Sequence, residues 1–589
     1  MCGIIGYIGG GDAAEIILGG LKRLEYRGYD SAGAAFLADG KLQIMKKQGR
    51  VEKLSPLVKG VDARVGIGHT RWATHGVPSD INAHPHRAGG IAVVHNGIIE
   101  NYAELKAELI SGGAKFLSDT DSEVVAHLLQ KNYNGDLVFA LRETVKLLKG
   151  SYALMAICEG ENRIAVARHK SPLIIGYGAD GNFCASDEPA LAGLCDTITI
   201  LEDGDIAEIT SDGVKIFDKF FKPVSRLKEP NLAVSASLGL DGCPHYMLKE
   251  LRETPLSVEA TARAFAGSKD GLRRELDGIE RIILTGCGTA YHAALIGKRY
   301  IECFARIPAE CETAGEFRYK NPVVNDKTAV IAVSQSGETA DTVEAARLAL
   351  SLGAKVIAVT NSHRSELTRL ATVVVPVAAG PEICVAATKS YTGQIAALYL
   401  TAAVLAGERV YSECAEKIEK IPALLTRTLE DLDMRSLAHI CASSSGVYFL
   451  GRDLDYAVAL EGSLKLKEIS YVQGEGYPSG ELKHGTLALI DVNTTSVVII
   501  TDESLAGKSE NAVEQVLSRG GKVAVITNIK EVEERFAGKL PVTPLPQCDK
   551  FLSPLLAAVA VQMLAYKAAA VLGREIDKPR NLAKSVTVE

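Results

Sequence analysis

The chain has 589 residues, 47% hydrophobic and 23% charged, with a net charge of −7 and neither a basic block nor a long acidic tail. Those figures describe a globular protein of several domains and speak against nucleic acid or an anionic membrane as the main partner. The 12 cysteines run from Cys2 to Cys548 without CxxC spacing, which fits neither a disulfide framework nor a zinc site; with no signal-peptide pattern, a reducing cytoplasmic setting is expected.

Cys2 directly follows Met1 and opens a short apolar run, Gly3 to Gly9, that reads as a strand. Removal of Met1 would leave a thiol and a free α-amine on one residue. Their reference pKa values are about 8.5 and about 7.7–8.0, so the amine can take the thiol's proton. The competing reading is a buried core cysteine. A helix is expected over 14–25, and Asp39-Gly40 between apolar runs predicts a type I′ hairpin. Strands are expected at 65–68, 91–94, 152–157, 164–167 and 198–201, and helices at 102–110, 122–129 and 137–148. Strands and helices come in blocks, which favours antiparallel sheets with helices outside.

Polar residues gather where these runs are expected to end: Gly68 to Gly76 after one strand, His95-Asn96-Gly97 after another, Thr120-Asp121 before a helix, and Glu25 to Asp30 before the hairpin. Singly, each has a bland explanation as an ion pair, a turn or a cap. Together they hold what an amidase built on an N-terminal thiol needs. Arg71 can clamp a carboxylate, Asp121 can receive an ammonium, and the Asn96 amide and Gly97 N–H can face an oxyanion. Cys2-Gly3-Ile4, His69 to Gly76, His95-Asn96-Gly97 and Thr120-Asp121 resemble the class II glutamine amidotransferase domain, an N-terminal-nucleophile hydrolase of αββα form. The resemblance covers roughly 1–222. It implies that Cys2 attacks the glutamine amide and that Arg71, Thr74, His75, Asn96, Gly97 and Asp121 bind glutamine. Trp72, the one tryptophan, is a candidate ammonia gate or else a packing residue.

The pattern lapses over 223–244, expected to be a linker. From Arg281, strands and helices alternate as in a doubly wound parallel sheet, and the order repeats from Val447. Ser351 to Asn361 is echoed by Ser518 to Asn528. Two copies of one domain are therefore expected, over 245–432 and 433–589. In the first copy, Ser334-Gln335-Ser336-Gly337-Glu338-Thr339 lies between a strand and a helix and can cradle a phosphate; a plain helix cap is the alternative. The second copy has Asp502 and Glu503 there, which would repel one. The apolar stretches 395–407 and 551–573 read as buried core helices; the first is too short to span a bilayer, and the second carries Ser553, Pro554, Gln562 and Lys567.

These loops resemble sugar isomerase domains that bind phosphosugars. Glu382 to Thr392, Leu460 to Ile469, Gly480 to Gly485 and the tail from Asp577 extend the likeness to the whole chain. That chain resembles the isomerizing, glutamine-dependent sugar-phosphate aminotransferases. Membership would imply glutamine and fructose 6-phosphate as substrates, glucosamine 6-phosphate as product at the first step of hexosamine synthesis, no cofactor or metal, and a homodimer. It implies that Lys584 forms the sugar imine, Glu468 moves a proton between C1 and C2 with Lys465 as helper, and His484 opens the ring, a histidine crossing from one subunit to the other's site. Thr289, Ser334, Gln335, Ser336, Thr339, Val385 and Ala583 would contact the sugar phosphate. Two other readings stay open: a glutaminase governed by a phosphosugar sensor, or the same chemistry on another ketose phosphate. Ala290 supports the latter, since the family usually has serine there.

Overall fold

Alternate side chains of the strand Gly3–Gly9 point to opposite faces. Ile4 and Ile8 enter one apolar core, Ile5 and Tyr7 another. Both faces of this strand are therefore covered. The computed structural model, which describes residues 2–232 and 239–587, places it in an eight-stranded sheet between Val65–Arg71 and Gly181–Ala185, antiparallel to both. A seven-stranded sheet carries Ile91–Ile99 beside Gly150–Cys158. Ile4, Ile8 and Ile67 of the first sheet share a core with Val94, Met155 and Ile164 of the second. Helix Ala13–Leu24, capped by Asp12, covers the first sheet through Ile17, Leu21 and Leu24. Helices Glu123–Asn132 and Leu137–Val145 cover the second through Val124, Leu128 and Leu141. Four layers result, the αββα sandwich of the sequence reading.

The Asp39-Gly40 turn has φ of 50° and 74°, with Ala38 paired to Lys41, as a type I′ hairpin requires. Two expectations need correction. His69-Thr70-Arg71 and His95-Asn96-Gly97 do not follow their strands; they lie inside Val65–Arg71 and Ile91–Ile99. Cross-strand partners extend both strands: Thr70 pairs with Gly3 and Ala32, Asn96 with Ala153. The expected linker also starts too early. Pro223–Val224 and Glu229–Pro230 add edge strands to the two sheets; residues 233–238 of that stretch lie outside the described residues.

The chain divides into one unit running to Gly239, which also takes in Ser585 onward, and a second unit, Leu240–Lys584. The second unit holds two parallel five-stranded sheets of one topology. In the first, Ala309–Thr313, Arg281–Gly286, Thr328–Ser334, Lys355–Thr360 and Val373–Pro376 lie side by side in that order. In the second, Gly474–Pro478, Gly446–Gly451, Thr494–Ile500, Lys522–Thr527 and Val542–Pro544 do the same. Both sheets reverse strand order after their second strand, where α/β sheets bind ligands. The copies are not independent. Residues of the helices Thr289–Phe304, Lys389–Leu405, Leu454–Ser470 and Ser553–Val571 belong to one continuous core. Lys389–Leu405 and Ser553–Val571 are buried on every side, which explains their lack of an amphipathic pattern. Ser553–Val571 is long and apolar enough to cross a membrane, but 83% of its most apolar window is buried inside the protein.

Candidate active sites

The glutamine-side residues meet because the strands cross-pair. Gly3 opposite Thr70 brings Cys2 beside the end of Val65–Arg71. The Trp72 backbone N–H donates to Cys2 Sγ at 3.4 Å, and Asn96 Nδ2 donates to the Cys2 carbonyl at 2.9 Å. Burial pushes the Cys2 thiol up, against the pull of the Trp72 N–H and the Arg71 guanidinium. Arg71 donates to the carbonyls of His75 and Gly76, which fixes the following loop. Its Nη1 is buried without a hydrogen-bond partner, the state expected of a group that awaits an anion. Asp121 accepts from the Ile99 N–H at 2.8 Å and from Ser122 Oγ. Gly97 has φ of 131°, and a Cβ there would come 2.0 Å from the Ser151 carbonyl. Only glycine fits that position in the strand. Thr74 is exposed, and His75 packs edge-on to Tyr102 at 5.5 Å.

Asp30, the last residue of the polar stretch Glu25 to Asp30, has a definite part in this site. Its carboxylate accepts from the Ala73 N–H at 2.8 Å and its own N–H donates to the Arg71 carbonyl, so it ties the loop after Arg71 to the strand. Behind these residues lies a buried histidine cluster. His69 stacks on His84 with centroids 4.0 Å apart, and His84 meets His86 edge-on at 4.5 Å. His95 donates its N–H to His84 Nδ1 and bonds Ser122. Burial holds all four imidazoles below the usual histidine range, helped at His69, His84 and His86 by neighbouring positive groups and opposed at His95 by Asp121 and the Ser151 carbonyl. His84 and Pro85 lie in the loop that leads into the strand His86–Ala88. The sign of the pH effect follows. Between the folded and unfolded pKa values the unfolded chain binds more protons, so stability falls as pH drops below about 6.5. Acid unfolding of this unit, followed by circular dichroism, is expected to begin there, and His86→Phe is expected to move the onset to lower pH. An unchanged onset would refute that account.

In the second unit, Ser334 ends the strand Thr328–Ser334, and Thr339 precedes the helix Ala340–Ser351. Ser334 Oγ takes the Gly337 N–H at 3.0 Å and lies 3.0 Å from Thr339 Oγ1. Gly337 turns the loop at φ of 66°, where a Cβ would collide with Ser365. No side chain caps the helix, so its first N–H groups are not taken by a side-chain cap and can take an anion. Gln335 and Ser336 are half-buried in the same loop. Thr289, expected on the phosphate, donates its hydroxyl to buried Glu461 at 3.1 Å, where His292 also binds at 2.8 Å.

Lys465 is almost fully buried and is ion-paired with Glu468, with Glu461 at 3.6 Å. It is therefore no solvated surface pair. Burial works against its charge, but the two carboxylates outweigh it and raise its pKa. Lys584 is also buried, ion-paired with fully buried Glu382. Glu382 also accepts from the Thr388 and Ser390 N–H groups at 3.0 Å and from Ser390 Oγ at 2.7 Å. Val385 joins this region by donating to the Asp577 carbonyl, and Ala583 adjoins Lys584 in sequence. His484 is the exception. It is exposed in the turn Leu482–His484 and makes no hydrogen bond or ion pair to Lys465, Glu468 or Lys584 among the described residues.

A glutamine amidotransferase domain family matches residues 69–193, and the SIS domain family matches 275–404 and 441–572. Two enzymes named glutamine–fructose-6-phosphate aminotransferase (isomerizing), from Aquifex aeolicus and Thermus thermophilus, are 46% and 44% identical over the full length of both chains. The chain belongs to that aminotransferase family. A solved C-terminal domain of glucosamine-fructose-6-phosphate aminotransferase from Francisella tularensis covers 58% of this chain and all of its own, at 35% identity and a TM-score of 0.56. As a member of this aminotransferase family, the chain pairs an αββα glutaminase fold with two parallel-sheet sugar isomerase domains. Ala290, the second residue of the helix Thr289–Phe304, offers no side-chain hydroxyl to a ligand.

Proposed function

We propose that this chain moves the amide nitrogen of glutamine onto fructose 6-phosphate and isomerises the product to glucosamine 6-phosphate. What carries this reading is the pairing, in one chain, of a cysteine whose thiol is held by the Trp72 N–H and whose carbonyl is held by Asn96 with a buried lysine, Lys584, held by Glu382. Cys2 attacks the glutamine carbonyl, with its own α-amine as base once Met1 is removed. Arg71 and Asp121 hold the carboxylate and ammonium of the substrate, with Thr74 and His75 on the adjoining loop. Gly97 and Asn96 face the oxyanion. Water then releases glutamate, and ammonia travels within the enzyme, with Trp72 as gate.

At the second site, Ser334, Gln335, Ser336 and Thr339 take the phosphate, with Val385, Ala583 and the Thr289 backbone around the sugar. Lys584 condenses with the C2 carbonyl and releases water. Ammonia displaces the lysine, and Glu468, steadied by Lys465, carries a proton from C1 to C2. His484 opens the ring; its exposure supports a homodimer in which it serves the partner's site. Purified enzyme with glutamine and fructose 6-phosphate is expected to form glucosamine 6-phosphate and glutamate in equal amounts, read by mass spectrometry. Glutamate without amino sugar would instead favour a sensor-governed glutaminase, and a panel of ketose phosphates tests the sugar.

A further inference from the structure

Lys584 does not face Glu382 alone. Glu250, on the helix Tyr246–Arg252, is 2% exposed. Its Oε1 accepts from the N–H groups of Ile383 and Cys384, the two residues after Glu382, at 2.5 and 3.1 Å. Its Oε2 is buried with no hydrogen-bond partner. An ionised carboxylate left half-solvated by protein in such a place is costly, whereas a protonated one is not. Three segments far apart in sequence thus bring a second carboxyl against the loop that carries Glu382, within electrostatic reach of Lys584.

We propose that Glu250 is a positioning residue for Lys584: a buried carboxyl kept uncharged beside the Lys584–Glu382 pair, so that the lysine faces one carboxylate and not two. With one carboxylate the pair is neutral, and moving the proton from Lys584 to Glu382 leaves a neutral amine and a neutral acid. No net charge is created in the low-dielectric interior. With both carboxylates ionised, the same transfer would leave an unpaired buried anion, and the amine needed for imine formation would be disfavoured.

The surroundings agree. Burial, then the Glu382 carboxylate, push Glu250 up to about 8, against the pull of Lys584 and the two N–H groups. The ionisable groups around it are Glu382 and Cys384 on the loop, Lys584 and Asp577 on the C-terminal segment, and Tyr246 and Lys249 on its own helix. Burial keeps the Cys384 thiol protonated and raises Tyr246. Among these groups, Glu250 is the one whose ionisation near neutral pH changes the charge that Lys584 meets.

This inference rests on Lys584 as the imine-forming lysine, and the experiment separates the two claims. Wild type and Glu250→Gln are incubated with fructose 6-phosphate, without glutamine, and reduced with borohydride; the sugar adduct is located by mass spectrometry. Glutamine's amide preserves the acceptor toward Ile383 and Cys384 but stays neutral at every pH. The ratio of the variant's trapping rate to the wild type's is expected to rise about tenfold between about pH 7 and about pH 9, as Glu250 ionises only in the wild type. A ratio independent of pH, whether high or low, would make Glu250 a structural clamp and overturn the proposal. Wild type that forms no adduct on Lys584 would instead overturn the lysine assignment, and this proposal with it. If Glu250→Gln does not fold, infrared spectra of the wild type across the same range decide: a protonated-carboxyl band that fades above about pH 8 supports the proposal, and no such band refutes it.

Discussion

Replacing Cys2 by alanine is expected to abolish glutamine-dependent amino-sugar synthesis while sparing synthesis from free ammonia. The Cys2 sulfur takes the Trp72 N–H, and the Asn96 amide fixes the same residue through its carbonyl. Its loss is expected to lower glutaminase turnover at least about a thousandfold, as loss of other catalytic nucleophiles does. The fold should barely notice. Cys2 is only half-buried, and its thiol makes two weak contacts with the Trp72 backbone. The sugar side should be untouched, because Leu240–Lys584 has its own cores and its own polar pairs. Concentrated ammonium salt at alkaline pH supplies neutral ammonia directly, and glucosamine 6-phosphate should then form at the wild-type rate. Two results would defeat this: glutamine-dependent product from Cys2→Ala, or loss of the ammonia-dependent reaction with it. A chain that keeps Met1 is expected to behave like the variant, since its Cys2 has no free α-amine. N-terminal mass spectrometry beside the glutaminase assay checks that point.

Local pattern carried much of this architecture. The alternation of Ile4, Ile5, Tyr7 and Ile8, the Asp39-Gly40 turn and the repeated strand–helix order all act over a few residues, and a sequence displays them directly. Long-range pairing is different. Nothing near Thr70 says that Gly3 and Ala32 will extend its strand, so the sequence places the end of that strand at Gly68, three residues before Arg71. Pro223–Val224 and Glu229–Pro230 looked like linker because two-residue edge strands have no period to read. The site was legible where residues cluster, as in His69 to Gly76 or Ser334 to Thr339. It was illegible where function comes from residues hundreds of positions apart. Asp30 ends a visibly polar stretch, but its tie to the Ala73 N–H cannot be read there, and Glu250 is an ordinary acidic residue in sequence that only its contacts distinguish. Burial hides the rest: Lys465 and Glu468, three residues apart, have the spacing of a solvated helix pair, and only the enclosure of Lys465 distinguishes them from one.

Lys584→Met should be the most damaging substitution at the sugar site, on two independent scales. Without the amine no imine forms, so the borohydride-trapped adduct should vanish and amino-sugar synthesis should fall about a thousandfold or more, while glutamine hydrolysis persists. Stability should fall as well. Glu382 is fully buried, and although burial opposes its charge, Lys584 and the Thr388 and Ser390 N–H groups hold its carboxyl below the usual range. Removing the lysine leaves an uncompensated carboxylate, a loss of about 3–5 kcal/mol. Because the folded carboxyl is depressed, the pair's contribution is full above the unfolded value of about 4.3 and disappears as pH falls through the lower folded one. The stability gap between wild type and variant should therefore be widest near neutral pH and narrow on acidification. Glu382→Gln combined with Lys584→Met removes the orphaned charge. That double variant is expected to regain most of the lost stability in urea titrations and none of the synthesis. Equal stability of Lys584→Met and wild type at neutral pH would show that the pair is not the buried unit described above, and any trapped adduct in the variant would move the imine to another lysine.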